Sequence, residues 1–519
     1  MITVALTGAT GAMGSEVLAA LLDSALDLKI KCILFDKEKK LPKCVKQLLK
    51  SPKTEAFSGD ISRYADCVKL VENADYVINC ASLIPPKSDH DPLGTFESNF
   101  LGTKNIVDAI CAGGTPSKTA YIHVATVALY GHRAYPHTWI RVGDPIISSD
   151  YDVYSKQKLK AEKYVLESGL KRFVSLRQTA VLHKFMLANN LSDGLMFHTV
   201  WNGALEWVSD RDSGLLLKNL IEKDVAGGLN DFWNKIYNIG GGDSCRITGY
   251  ESFDHCFSLV GGGVKKYFKP NWNVTRNFHG GWFYDSDELN EILNFRTESV
   301  GDFWARMGKK YRVFRLGKAV PAPIISACAV KRLFKSTNAP QYWLKHGKEG
   351  RVRAFFRSRE DYEKIPEKWE DYRLLCEGKL EDGSEIDYEA FRNADNAQKY
   401  LLDHGYDESK PLSELSREEL DGAAKFRGGR LISAEYDGDE YSKLIWKCRD
   451  GHEFSLTPYT VLKGGYWCPH CCEPKPWKYG AVADIPFYGQ VYFDSHGRDE
   501  VDDSFPLFEH EENFIIKKK

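Results

Sequence analysis

No apolar run in this 519-residue chain approaches the ~20 residues that span a bilayer as a helix. The strongest candidate, AVPAPIISACAV at 319–330, is short and holds Pro321 and Pro323. It reads as a buried segment; covering a substrate pocket, or touching a membrane surface beside Lys331, Arg332 and Lys335, are the alternatives. A dominant charge is missing too: 70 Lys and Arg against 72 Asp and Glu leave a net −2, which argues against a general nucleic-acid surface. There is no internal repeat and no low-complexity tract. The first residues read as a strand, not a basic-then-apolar leader, so neither a secretory nor a transit peptide is expected. The 13 cysteines are scattered and odd in number, the usage of reduced thiols in the cytoplasm. The chain is too long for one ordinary domain.

What is present begins at the front. Ile2 to Leu6 form an apolar run suited to a buried parallel strand, TGATGAMG follows at 7–14, and an amphipathic helix is expected from Ser15 to about Ala25. In that order Gly8 permits the tight turn, Gly11 lets backbone approach a pyrophosphate and Gly14 lets the helix pack close to the strand. The helix N-terminus offers free N–H groups to the phosphates. Gly8, Thr10, Gly11, Ala12, Met13 and Gly14 are therefore the expected dinucleotide cradle. The next strand, Lys31 to Phe35, ends at Asp36, where a carboxylate accepts hydrogen bonds from the adenosine ribose. Its charge repels a 2′-phosphate and favours NAD; Lys37, Lys39 and Lys40 soften that repulsion and keep NADP as the alternative.

Further on, YDVYSKQKLKAE reads as helix and sets Tyr154 and Lys158 on one face. A tyrosine near its reference pKa of about 10 is a poor base at neutral pH, but a neighbouring ammonium and an oxidised nicotinamide both favour phenolate. Tyr151 is excluded from this role because Ser155, not a lysine, stands four residues later.

The chain resembles the extended short-chain dehydrogenase/reductase superfamily, specifically the NAD-dependent epimerase/dehydratase family. The resembling motifs are TGATGAMG at 7–14, GDI at 59–61, NCAS at 79–82, NFLGTKN at 99–105, HVATVALYG at 123–131 and YSKQK at 154–158, in family order over roughly the first three-fifths of the chain. The resemblance implies a Rossmann-type doubly wound parallel sheet, an α/β fold with a smaller substrate-binding region. It places Asp60 and Ile61 beside the adenine, and Cys80, Ala81 and Ser82 at the strand end under the cofactor. It makes Asn99 the support of the active-site lysine through water, Thr126 the catalytic hydroxyl that orients the substrate oxygen, and Tyr154 and Lys158 the YxxxK pair. Homodimers are common in the superfamily.

Departures from the family pattern narrow the reaction. Dehydratases of the group place an Asp-Glu pair after the catalytic Thr, whereas Val127 and Ala128 follow Thr126, so no acid and base for water elimination stand there. The usual Tyr-Gly-Pro ending of the later Arg-containing strand is replaced by Leu182, His183 and Lys184, which argues against a nucleotide-sugar substrate. Leu83 to Pro86, MFHTVWNGALEW at 196–207 and NFHGGWFYD at 277–285 supply aromatic and aliphatic groups suited to an apolar or ring-bearing small molecule.

Composition divides the chain into an NAD(P)-binding region with its substrate cap at 1–335, a helical connector at 336–429, a zinc-ribbon-like module at 430–475 and an aromatic, acidic tail at 476–519. In the connector, Ser416 and Glu419 form a capping box. In the module, Cys448 and His452 pair with the Cys468–Cys471 knuckle around a stretch suited to a β-ribbon, the ligand set of a closed tetrahedral zinc site; His470 and Cys472 are alternative ligands. In the tail, FYGQVYF at 487–493 should pack back on the body while Asp499 to Asp503 face water. The module resembles small zinc ribbons, some of them in nucleic-acid-associated proteins, and Lys443, Lys447, Arg449, Lys463 and Trp467 are its candidate basic, aromatic face. Three functions follow: an NAD(P)-dependent dehydrogenase or reductase of a small alcohol or carbonyl compound; an epimerase of a sugar nucleotide that keeps its NAD; and a cofactor-dependent sensor whose zinc module binds a nucleic acid or protein.

Overall fold

The computed structural model describes residues 1–35, 41–113, 117–186, 192–472 and 484–500. Asp36 lies outside the described residues, as do the tail beyond Glu500 and the stretch 473–483.

Seven strands form one sheet in the order Lys235–Ile239, Phe173–Gln178, Ala120–Thr126, Tyr76–Asn79, Ile2–Thr7, Leu28–Leu34 and Thr54–Ser58. Every pairing is parallel, and all strands but the edge strand Thr54–Ser58 are largely buried on both faces, as helix-covered parallel sheets require. Along the first strand, Val4 and Leu6 enter the core that holds Val17, Leu18 and Leu216, while Ala5 points to the opposite core with Val77, Tyr121 and Ile106. The first helix runs Ala12–Leu22, starting three residues before the sequence pattern placed it. It packs against Asp210–Val225 at Gly214, where a Cβ would come within 2.7 Å of Glu16 O.

That second core continues past residue 335. It takes in Leu420, Trp446, Phe454, Tyr459, Leu462 and Phe487 from the C-terminal third. Polar bonds reinforce the seam: Tyr459 OH accepts from Ile236 N at 2.8 Å, and the buried Asp144 meets His404 Nε2 at 2.9 Å. The C-terminal strands Gly429–Leu431, Leu444–Cys448 and Glu453–Leu456 make an antiparallel meander. A short helix, Pro458–Leu462, then occupies part of the stretch read from sequence as ribbon.

Two expectations need correction. The segment expected to be buried at 319–330 is mostly exposed: Ala322–Ile325 buries no side chain, and only Ser326 and Val330 are covered in the turns that follow. The acidic run expected to face water does not do so throughout, because Glu500 is buried and pairs with Arg276 at 2.7 Å. The aromatic tail helix Pro486–Tyr492 does pack inward, burying Phe487, Tyr488, Val491 and Tyr492.

Candidate active site

The strand order reverses between Ile2–Thr7 and Tyr76–Asn79, and the crevice outside their carboxyl ends is where doubly wound sheets take ligands. Gly8 stands there with φ +69, and a Cβ would lie 2.8 Å from Ala81 N. At Gly14 a Cβ would sit 2.1 Å from Gly8 O, so helix and turn close only around glycine. Gly11 is crowded least, its nearest neighbour being Gly8 O at 3.3 Å. The Ala12–Leu22 helix has no acidic residue in its first turn and no side chain capping its N-terminus, which leaves the N–H groups around Ala12 and Met13 for an anion. This cradle fits a dinucleotide pyrophosphate.

The motifs quoted for the resemblance meet around the crevice. Thr7 Oγ1 donates to Asn79 Oδ1 at 2.8 Å and accepts from Ala81 N at 3.0 Å, tying the two strand ends together. Ile61 packs on Gly102, where a Cβ would fall 2.5 Å from Ile61 Cδ1, and Ile61 O accepts from Asn105 Nδ2 at 3.0 Å. Asp60 caps its own turn by accepting from Ser62 N at 2.9 Å. Asn99 accepts from Leu83 N at 2.7 Å and donates to Leu83 O at 3.0 Å. Both ends of its amide thus hold the loop that leaves Cys80–Ser82, a positioning task that the sequence did not suggest.

Tyr154 and Lys158 sit in the first two turns of Val153–Glu167, a helix capped by Asp152, which accepts from Ser155 N at 2.9 Å. Burial would raise the Asp152 carboxyl, but His279 at 3.2 Å and the Ser155 bond hold it below its ordinary value. The Tyr154 phenol is pushed up to about 12 by burial, opposed by the Thr126 and Ser82 hydroxyls that face it. Ser82 Oγ is shielded from solvent. Lys158 Nζ donates to Val124 O at 2.6 Å, and burial lowers the ammonium to about 8 while the Glu162 carboxylate works against that fall. Cys80 lies close enough to feel Lys158, yet burial takes its thiol up to about 12, so it stands there as a neutral group. His123, which opens the HVATVALYG motif without a role assigned to it from sequence, is buried on the Ala120–Thr126 strand within reach of the Lys158 charge and held neutral by burial and by that cation.

Beside this group opens a cavity of about 270 Å³. All three segments named from their aromatic content contribute to it: Ile84 and Pro85, then Met196, Leu205 and Trp207, then Phe278 and His279. Val127, the residue after Thr126, lines it as well, and Phe253, Phe257 and Trp304 complete an apolar wall. Among the described lining residues the one buried acid, Glu206, is fully engaged by Arg246, Phe283 N, Gly242 N and Ser286. It offers no free acid or base, and Ala128 next along is buried and apolar. His183 also lines the cavity, and burial lowers it to about 4.

Underneath the Tyr154 helix, Glu162 and Arg177 form a fully buried pair at 2.9 Å. Arg177 also donates to Tyr130 OH and Gly464 O, both at 2.7 Å, and Tyr466 OH donates to Glu162 at 2.7 Å. The loop that carries Gly464 and Tyr466 runs straight into Cys468.

Cys448, His452, Cys468 and Cys471 bring their ligand atoms within 4.8 Å of one another. His452 Nδ1 lies 3.5 Å from Cys448 Sγ, 3.9 Å from Cys468 Sγ and 3.4 Å from Cys471 Sγ. A tetrahedron with arms of about 2.3 Å has edges of about 3.8 Å, so the four atoms fit a zinc ion with no open position. Of the basic, aromatic face expected beside them, three members are engaged within the fold. Trp467 is buried against Trp446 and Phe454, Lys447 pairs with Glu453, and Lys443 with Glu167.

Residues 4–183 match the profile of a family described as the NAD dependent epimerase/dehydratase family. A UDP-glucose 4-epimerase of Rickettsia rickettsii is 30% identical over 109 residues, covering 21% of this chain and 32% of that protein, and the Rickettsia canadensis enzyme of the same name is 29% identical over the same length. The match thus spans about a third of the length of these curated relatives. Among solved structures, the dTDP-glucose 4,6-dehydratase of Bacillus anthracis in complex with NAD shares 16% identity at a TM-score of 0.49, covering 61% of this chain and 98% of that one. The UDP-glucuronic acid 4-epimerase of Bacillus cereus in complex with NAD shares 17% at a TM-score of 0.46, with 62% and 99% covered.

Proposed function

We propose that this chain is an NAD-dependent oxidoreductase that interconverts an alcohol and a carbonyl group on a small apolar or ring-bearing compound. The observation that carries the reading is the juxtaposition of Tyr154, Thr126 and Ser82 hydroxyls with an apolar cavity that begins at Val127. Bound NAD supplies the acceptor or donor of the hydride. In the oxidising direction Tyr154 accepts the proton of the carbinol oxygen, and in the reducing direction it returns it. Thr126 holds that oxygen in place, and the Lys158 cation favours the phenolate. Gly8, Thr10, Gly11, Ala12, Met13 and Gly14 receive the pyrophosphate, and Asp60, Ile61, Cys80 and Ala81 border the rest of the dinucleotide. Asp36 is the ribose ligand in this reading and sets NAD above NADP.

Epimerisation of a sugar nucleotide is the second reading, favoured by the family match over residues 4–183. The same Tyr154, Lys158 and Thr126 serve it, since it too begins by oxidising an alcohol. The apolar wall and the engaged Glu206 favour the first reading. Incubating the protein with NAD or NADP and a panel of sterols, aromatic alcohols, aldehydes and nucleotide sugars separates the two. Net NADH with an apolar alcohol supports the dehydrogenase; turnover of a nucleotide sugar without external cofactor supports the epimerase and overturns the first reading. The Cys448–His452–Cys468–Cys471 set binds zinc as a structural ion and takes no part in the chemistry.

A further inference from the structure

Residues 303–348 contain eleven Lys and Arg and no Asp or Glu, in a chain whose net charge is only −2. The apolar residues within that stretch do not all turn inward. Arg312–Ala319 buries none of its side chains and Ala322–Ile325 buries none either. Leu316 is 69% exposed, Val313 64% and Ile324 52%, interleaved with the exposed Arg312, Arg315 and Lys318. The strap that presents them is nonetheless fixed. Tyr311 OH donates to Lys184 O at 2.9 Å, Gly317 lies against Val260, and Ser326 Oγ donates to Tyr267 O at 2.8 Å. Single exposed aliphatic residues are ordinary. A row of them on an anchored strap, rimmed by cations with no acid in the same stretch, marks an interaction surface.

We propose that the strap 312–335 docks the protein on an anionic phospholipid surface, with Val313, Leu316, Val320 and Ile324 entering the headgroup–acyl boundary and the flanking Lys and Arg meeting lipid phosphates. Charge complementarity selects this occupant. A second copy of the chain on a two-fold axis would bring the same cations face to face, and a nucleic acid would satisfy the cations while leaving the aliphatic row in water. No helix among the described residues is long and apolar enough to cross a membrane, so the attachment is peripheral. Ala322 and Ile325 pack on the core of Phe257, and Phe253 and Phe257 line the cavity. Docking therefore sets the outer wall of an apolar pocket against a layer that dissolves apolar compounds. The docking itself does not depend on the reaction proposed above.

The full chain is sedimented with vesicles of phosphatidylcholine alone and of phosphatidylcholine with phosphatidylserine, at low and at raised salt. Binding to the anionic vesicles only, weakened by salt, is expected. Each charge near the surface changes partitioning about fivefold, so Arg315→Glu with Lys318→Glu lowers it by well over tenfold. Leu316→Ser weakens it as well, and melting temperature stays unchanged in both variants because these side chains are exposed. Failure to sediment with anionic vesicles at low salt, or binding indifferent to both variants, overturns the proposal. So does a duplex DNA complex that is lost in the charge variant and kept in Leu316→Ser, or a dimer that Leu316→Ser dissociates in protein that binds no vesicle.

Discussion

Tyr466 donates its hydroxyl to Glu162 at 2.7 Å, one helical turn beyond Lys158 and two residues before Cys468. The metal knuckle is thereby joined to the helix of the Tyr154–Lys158 pair through a buried carboxylate that Arg177 neutralises. Glu162→Gln leaves the Arg177 cation buried without its counter-charge, a loss of about 3–5 kcal/mol. Tyr466→Phe removes one bond and is expected to cost about 1–3 kcal/mol. Urea unfolding followed by tryptophan fluorescence ranks them; equal midpoints for both variants and wild type would refute the buried tie.

Metal analysis of freshly purified protein should return about one zinc per chain. Cys471→Ser should lower that stoichiometry and the unfolding midpoint together, since closed four-ligand sites contribute folding energy. Protein free of zinc with an unaltered midpoint would reject the site.

The three glycines of the turn should fail differently. Gly14→Val drives a side chain into Gly8 O and is expected to abolish folding of the first strand and helix, read as loss of soluble protein. Gly11 has only one neighbour at 3.3 Å, so Gly11→Val should fold, melt near wild type and lose NAD binding by calorimetric titration. Undiminished NAD affinity in that variant would remove the cradle from the account.

Lys158 titrates at about 8 in the fold against 10.5 as an ordinary lysine. Between those values the unfolded chain carries a proton that the folded chain has released, so stability rises with pH across that window, and the full penalty applies below it. The penalty is about 3 kcal/mol, offset in part by the bond to Val124 O. Lys158→Met should therefore match or exceed wild-type stability near neutral pH and lose that advantage as the pH approaches 10.5. A difference independent of pH would contradict the buried cation.

How much of this was legible in the sequence differs by element. The parallel sheet was, because Ile2–Leu6, the glycine turn and the later apolar runs each carry a local signal that the fold does not override. The cavity was legible only as three aromatic segments; that Ile84, Trp207 and Phe278 share one wall depends on how far-apart loops meet, which spacing cannot encode. Asn99 was marked by its motif, yet its bonds go to the Leu83 backbone, and nothing in residue type distinguishes a carbonyl partner from a water. The segment at 319–330 misled the reading because apolar content predicts burial only where something is available to cover it. The union of the C-terminal third with the sheet was invisible, since composition changes at 335 while the core containing Trp446, Tyr459 and Leu462 does not.

The proton relay rests on one phenol. With a compound from the panel that the wild type turns over, Tyr154→Phe should bind NAD with unchanged affinity and lose turnover by a factor of about 10² to 10⁴. Near-wild-type turnover in that variant, at the same NAD affinity, would contradict the assignment and leave the site without its proton carrier.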